Sequence, residues 1–520
     1  MGTSGSSVRA VPNSCPQPRV RLLAYRLGTV GESRTVGSWA ARWHARTRRL
    51  HELERRLERE PGASTAVWLE RAATCEALGL YDDAKRAYFD VLARDPSHYD
   101  ALMALADLLL RTGDTTAARA LFAEAALRHP DRALPRARLG DAMLDADELA
   151  AASAAFRDAL RLDPDLREAN RGLAAALERE GDHAAAALAW RKAFPAGSLE
   201  IAPYRGPGPP VRVLLVTTAT GGNVPVQHLL DDRIFETATI VVEADPEMRA
   251  FPPHGVVFNV VGEADRSARA LGIVERVAAR GGASIVNDPR RVRETGRLEN
   301  ARRLAVIEGV VAPRVAALSR EELCGPGGAE LLRAHGFAFP LLLRSPGFHT
   351  GEHFTLVQDP SGLAAVADAL PGRKLFAIAY AETRGDDGTW RKYRVMIVDG
   401  ELYPLHLAIA GQWKVHYFTA QNANDEGYRE EERAFLGDMP RVLGPSALRA
   451  LREIASVLAL DYGGIDFALD RAGRVVVFEA NATMRITAVD DDPRNAYRKA
   501  ASDRAAEAVR AMLIGREALI

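Results

Sequence analysis

The sequence predicts a multidomain chain in which an all-α repeat solenoid is followed by a small α/β domain and then a larger α+β domain. Three observations predict it. A 34-residue period runs from Thr65 to Ala196; a proline- and glycine-rich break at Ile201–Pro210 leads into a buried-strand pattern; and the segment 461–481 reads as a strand pair with oxygen-bearing side chains on one face. The length of 520 residues exceeds what one hydrophobic core supports and suits roughly three or four compact units.

Composition narrows the function classes. With 68 basic and 69 acidic residues, the chain has no bulk charge with which to hold a nucleic acid. Lysine occurs only at positions 85, 192, 374, 392, 414 and 499, so arginine carries almost all the positive charge. Cys15, Cys75 and Cys324 have neither zinc-site nor CxxC spacing, which fits a reducing compartment and a cytoplasmic location. No apolar run approaches the ~18 residues that span a bilayer, and the start lacks a secretory signal core, so no membrane partner is expected. Residues 1–60 read as a poorly defined leader. The arginine-rich stretch Arg9–Arg49, with Glu32 its only acid, also fits an organelle transit peptide.

Within the repeats the landmarks stay in phase. Gly79, Gly113 and Gly181 share one position, Ala84, Ala118, Ala152 and Ala186 a second, Tyr88, Phe122, Phe156 and Trp190 a third, and Pro96, Pro130 and Pro164 a fourth. Small alanines let paired helices approach, the aromatic fills the space between units, and proline ends the second helix. Asp147 replaces the turn glycine in the third unit. The pattern resembles tetratricopeptide repeats, with units at about 65–98, 99–132, 133–166 and 167–196 in an arm spanning 65–198. Two readings stand for this arm, a scaffold or a concave groove that holds a peptide or protein.

The segment 199–210 reads as a linker, because three prolines and two glycines after Tyr204 suit neither helix nor central strand. Val211–Asn223 then runs from a buried strand into a Gly-Gly loop, and further strands are expected at 238–244, 255–262 and 283–288 with a helix near 266–280, giving an α/β domain over 211–312. Asn259, Asp265 and Asn287 fall at strand ends, where open α/β sheets place ligands and where such residues also cap loops.

The segment DYGGIDFALDRAGRVVVFEAN (461–481) carries the most specific signal. If Arg471 faces Arg474 across the turn, Asp466 lies opposite Glu479 and Asn481 points to the same side, while Ile465, Phe467, Leu469, Val476, Phe478 and Ala480 form an apolar opposite face. Two carboxylates with Cβ atoms ~4.5–5.5 Å apart repel unless a cation or proton intervenes. Carboxylate and amide oxygens suit Mg²⁺, with Mn²⁺ as an alternative, and Mg²⁺ keeps sites for water and phosphate oxygens. A solvated hairpin without metal is the plainer alternative.

This hairpin resembles the closing hairpin of the ATP-grasp superfamily, with an acid followed thirteen residues on by E-x-N. The resemblance implies an α/β pre-ATP-grasp domain at 211–312 and an ATP-grasp domain at 313–520, comprising a small lid at about 313–380 and a larger lobe at 381–520. It implies Asp466, Glu479 and Asn481 as metal ligands. Arg344, in the place of the usual lid lysine, would face the phosphates together with Gly347 and Gly351, Tyr380, Ala381 and Glu382 would hold adenine, and Arg303 would belong to the same nucleotide site. Arginine keeps the charge of lysine and changes its geometry.

Between lid and hairpin, alternation puts Lys392 and Arg394 on one strand face ahead of a hairpin at Asp399-Gly400. By the same resemblance Arg394, with Lys392, would stabilise the transferred phosphate. His406, Trp413 and His416 are candidate substrate residues, or simply packed side chains. The implied chemistry uses ATP and Mg²⁺ to turn a carboxylate into an acylphosphate that an amine or similar nucleophile attacks. The arm points to a peptide or protein as one partner, with a small-molecule co-substrate. A kinase of the same fold and a repeat adaptor with a degenerate nucleotide pocket are the alternatives.

Overall fold

A computed structural model describes residues 36–60, 62–78, 80–112, 114–146, 148–195, 198–247, 251–346, 353–415, 425–486 and 493–517, and its chain divides into two compact units, Met1–Pro96 and Ser97–Ile520. The first unit holds helices α1 (Val36–Arg59), α2 (Thr65–Ala77) and α3 (Tyr81–Arg94). The expected leader is therefore helical from Val36. Leu50, Leu53 and Leu57, spaced three and four residues apart, are buried, and Leu53 and Leu57 pack with Val67. That stripe is easily overlooked among the arginines, one of which, Arg49, donates to Glu70 at 2.7 Å. Residues 1–35 lie outside the described residues.

The second unit begins with three helix pairs: α4 (Tyr99–Arg111) and α5 (Thr115–Arg128), α6 (Leu134–Asp145) and α7 (Leu149–Leu162), α8 (Arg167–Glu180) and α9 (His183–Ala193). The in-phase alanines and aromatics of both units are all buried. The Phe156 ring shows why small residues recur around it, since a Cβ added at Gly140 would lie 2.7 Å from its Cε1 and one at Gly172 closer still. Gly181 ends α8 at φ 89°, as its turn position requires, while Gly79, Gly113 and Asp147 lie outside the described residues.

Chemistry follows the aromatic. Tyr88 donates from Oη to Glu76 at 2.7 Å and Trp190 from Nε1 to Glu178 at 3.0 Å, each twelve residues back. Where the aromatic is Phe122 or Phe156, the same position is Leu110 or Leu144. A buried polar tip thus meets an acceptor, and where the ring has no polar tip the same position is apolar, with Leu144 packing on the cluster of Phe156.

The boundary segment is tied down rather than free. Its residues Glu200–Ile201 form β1, Ala202 N donates to Thr237 O at 2.9 Å, and Arg205 N donates to Asp232 O at 2.8 Å. Strands β2 (Val211–Thr217), β3 (Phe235–Val241), β4 (Val256–Asn259) and β5 (Ser284–Val286) complete a sheet of order β1-β3-β2-β4-β5, parallel except for β1. Helix α10 (Ala268–Gly281) connects β4 to β5. Its Arg269 donates to Glu178, and Ala219, just after β2, packs on the cluster around Trp190, so the last helix pair abuts this sheet.

After α11 (Pro289–Arg293) and α12 (Arg297–Leu304), β6 (Val310–Val311) and β7 (Val315–Ser319) precede β8 (Leu341–Arg344), β9 (Phe354–Val357) and β10 (Lys374–Ala379). An antiparallel sheet of order β7-β10-β8-β9 occupies the expected lid region. The remaining strands, β11 (Trp390–Val398), β12 (Glu401–Ala410), β13 (Tyr462–Leu469) and β14 (Val475–Asn481), form a third sheet of order β12-β11-β13-β14-β6. The turn Asp399-Gly400 between β11 and β12 has positive φ at both residues, 50° and 83°.

On one face of this sheet Tyr393, Val395, Ile397, Ile465 and Phe467 pack on the helix Met439–Leu458. On the other, Met396, Val398 and Tyr462 pack on the helix Lys499–Glu517.

Asp466 pairs with Glu479 as expected, but the turn register differs by one. Leu469 pairs with Val475, Asp470 N donates to Arg474 O at 3.0 Å, and a bulge at Phe478 restores the pairing at Asp466. The apolar face consequently uses Val475 and Val477 in place of Val476 and Phe478.

Candidate functional site

A single polar row crosses the third sheet. His406 on β12 pairs with Arg394 on β11, Arg394 with Asp466 on β13, and Asp466 with Glu479 on β14. Register shifts beside Arg394 and Asp466 bound this row, with Leu405 and Phe478 the extra residues, and bulges of this kind re-aim side chains next to binding sites.

Arg394 donates from Nε and Nη2 to the two Asp466 oxygens at 2.6 and 2.8 Å, and Lys392 Nζ lies 3.0 Å from Oδ2. Burial alone would raise the Asp466 carboxyl; the Arg394 and Lys392 charges overcome it and hold the group far below the usual carboxylate range. His406 is fully buried, and burial, followed by the adjacent Arg394 charge, keeps its imidazole neutral well below its ordinary value. Glu479 pairs with Arg297 at 3.3 Å and accepts from Asn481 Nδ2 at 3.0 Å.

The row forms part of the wall of a cavity of about 530 Å³. From the second sheet come Arg344, Phe376 and Ile378, followed by Tyr380 and Ala381; from the first, Gly222, Asn223, Glu263 and Asp265, beyond the C-terminal ends of β2 and β4. Arg344 is 9% exposed, and burial together with neighbouring Arg297 pushes its guanidinium down to about 10. Its guanidinium carbon lies 5.5 Å from the Phe354 ring centroid, Phe354 packs edge-on against Trp413, and Lys414 Nζ donates to Phe354 O at 3.2 Å. Residues 413–414 thereby bridge to the second sheet.

The cavity gathers Arg394, Lys392, Arg344, Tyr380, Ala381, Asp466, Glu479, Asn481, His406 and Trp413 of the expected site residues. Glu382 stands behind it, accepting from Trp390 Nε1 at 3.1 Å and from Arg384 N at 2.8 Å, and so steadies the wall residue Trp390. Arg303 is elsewhere: it donates to Glu294 O at 3.1 Å and to Val457 O at 2.5 Å, clamping α12 to the helix Met439–Leu458. Gly347, Gly351 and His416 lie outside the described residues. Of the strand-end residues, Asp265 reaches the cavity, whereas Asn259 and Asn287 join strands: Asn259 Nδ2 donates to Asn287 O at 2.9 Å, and Asn287 Nδ2 to Tyr462 O at 2.8 Å.

Sequence reasoning missed Arg297 and Arg498 in the wall. Arg498 is set by the fully buried Glu432, which accepts its Nε at 3.0 Å and Nη2 at 2.7 Å, as well as Tyr497 Oη at 2.5 Å. These partners lie 65 and 66 residues apart, too far for any local pattern to join them. Arg297 starts a helix crowded with arginines, where nothing marks one from the next.

Asp466, Glu479 and Asn481 supply hard oxygen atoms on one sheet face, a donor set that fits Mg²⁺ or Mn²⁺. Among the described residues no three or more His, Cys, Asp or Glu side chains are placed so that they could hold a metal ion together, so such an ion would rest on two carboxylates and an amide, with water or ligand oxygens completing it.

Residues 76–135 and 137–198 match the tetratricopeptide-repeat family. These helix pairs are tetratricopeptide repeats. Among solved structures, a crystal structure of MamA is 26% identical, covering 24% of this chain and 71% of its own, with a TM-score of 0.23. MamA 41-end from Desulfovibrio magneticus RS-1 is 22% identical, covering 31% of this chain and 90% of its own, with a TM-score of 0.27. No curated protein matches the chain. Among the described residues no helix is long and apolar enough to cross a membrane.

Proposed function

We propose that the cavity is an ATP site of the ATP-grasp kind and that the chain is a cytoplasmic ligase. It would activate a carboxylate as an acylphosphate for attack by an amine or similar nucleophile, on a peptide or protein recruited by the tetratricopeptide repeats. The observation that carries this reading is the placement of Asp466, Glu479 and Asn481 on one sheet face in a cavity walled on another side by Arg344.

In this reading Ile378, Tyr380 and Ala381 bound the adenine end and Arg344 binds the phosphates, while Arg394 and Lys392 receive the charge that develops on the transferred phosphoryl group. A bound Mg²⁺ would neutralise phosphate charge and orient the phosphates. Trp413 and Lys414, held against β9, exclude water on that side. Neutral His406 is suited to a hydrogen bond with the acceptor substrate rather than to charge pairing.

One observation favours the adaptor reading: both Asp466 oxygens are already met by Arg394 and Lys392, as in a purely structural ion pair. Calorimetry of Mg·ADP with the intact chain and with Glu479→Ala/Asn481→Ala separates the two. Binding that the double variant loses while keeping its fold is the expected result. Absence of binding to the intact chain sinks the ligase reading and leaves the repeats as an adaptor.

A further inference from the structure

Every side chain of the candidate metal face already has a protein donor. The Asp466 side chain is 4% exposed, with Arg394 on both oxygens and Lys392 on Oδ2. Glu479 faces Arg297 and Asn481 Nδ2, and Asn481 Oδ1 accepts from Thr483 N at 2.9 Å and Oγ1 at 2.7 Å. At Asp466 itself two cations, Lys392 and Arg394, face one carboxylate, leaving one net positive charge against the oxygens a dication would take, while Glu479 is matched by Arg297, and Arg344 is set among Glu479, Glu263 and Asp265. Like charges in a partly buried site disfavour entry much more than they do at an exposed surface.

We infer that Lys392 and Arg394 are internal counter-cations of Asp466 that keep a bare divalent ion off the β13–β14 face and yield it only to an ion arriving with a polyphosphate. The inference rests on the nucleotide reading above and adds a role for the two cations before any chemistry. Phosphate oxygens bring the negative charge that the bare ion lacks. They also accept the N–H groups that Lys392 and Arg394 must withdraw from Asp466, so the exchange leaves neither cation unpaired. Both residues sit on one regular strand, β11, and the exchange needs only side-chain rotation. Ion and nucleotide then bind as a unit, each strengthening the other.

Opposite effects of one substitution test this. Lys392→Met removes one positive charge from the group and brings it to zero. Free Mn²⁺, counted by its electron paramagnetic resonance signal without nucleotide, is expected to bind Lys392→Met at least tenfold more tightly than wild type, while Mg·ADP binds at least tenfold more weakly. General loss of structure would weaken both. Lys392→Gln, compared at matched thermal stability, repeats the test with a polar side chain. Lys392→Arg keeps the charge and is expected to exclude Mn²⁺ as wild type does. Wild type holding Mn²⁺ alone as tightly as with ADP overturns the inference, as does Mg·ADP binding by wild type with no gain of Mn²⁺ affinity in either charge-removing variant. No Mg·ADP binding by wild type overturns the nucleotide reading first, and the inference with it.

Discussion

His406 should make the protein acid-sensitive below about pH 6.5. In the folded chain its imidazole is fully buried beside Arg394 and stays neutral well below its ordinary value. In the unfolded chain it takes a proton near the ordinary value of about 6.5. The folded pKa is depressed, so the contribution is fully present above about pH 6.5 and is lost as pH falls toward the folded value. While the unfolded state holds one proton more, stability falls by about 1.4 kcal/mol per pH unit. As long as the folded site takes up no proton, the loss integrated from neutrality is about 1.3 kcal/mol at pH 5.5 and about 2 kcal/mol at pH 5.

Urea titrations of wild type and His406→Gln across this range isolate the effect. His228 is also pushed down by burial, but it is common to both chains and cancels in the difference. Wild type is expected to lose stability more steeply than the variant by these amounts. Parallel pH profiles would refute the argument, because they would mean that His406 takes up its proton as readily folded as unfolded.

Two further substitutions probe the packing around the site and in the repeats. Glu432→Ala strips the buried Arg498 of its paired carboxylate and should cost about 3–5 kcal/mol in chemical denaturation, with Glu432→Gln costing less. Gly140→Ala should cost about 1–3 kcal/mol by pressing a methyl into the Phe156 ring, and Phe156→Leu in the same chain should return part of it, read by thermal unfolding of both variants.

Periodic and alternating features were legible in the sequence, and features made by distant partners were not. The repeats could be read because each aromatic, alanine and proline recurs at a fixed spacing, and the Asp466–Glu479 pairing because strand faces alternate. The bulges escaped: the turn closed one residue from the expected register and Phe478 absorbed the difference, so the pairing held although the turn register did not. Arg344, Tyr380 and Trp413 line the cavity, whereas Arg303 clamps a helix, because its sequence context says that it is basic but not which way it points. The counter-ions of Asp466 lie 72 and 74 residues away on another strand, and only the fold brings them to it.

The way Glu200–Ile201 closes the first sheet bears on how the chain can be dissected. The proline-rich stretch looks like the natural place to cut, yet a fragment beginning at its end lacks β1 and bares the backbone amides and carbonyls of β3. An uncovered strand edge recruits other strands, so a fragment trimmed there would tend to self-associate. It would also lose Ser198, whose hydroxyl accepts from Val241 N at 2.9 Å, and expose Ala219 where the last repeat had covered it. The repeats thus shield one margin of the α/β half as well as preceding it, and separating the halves cleanly means carrying β1 and its approach along with the second.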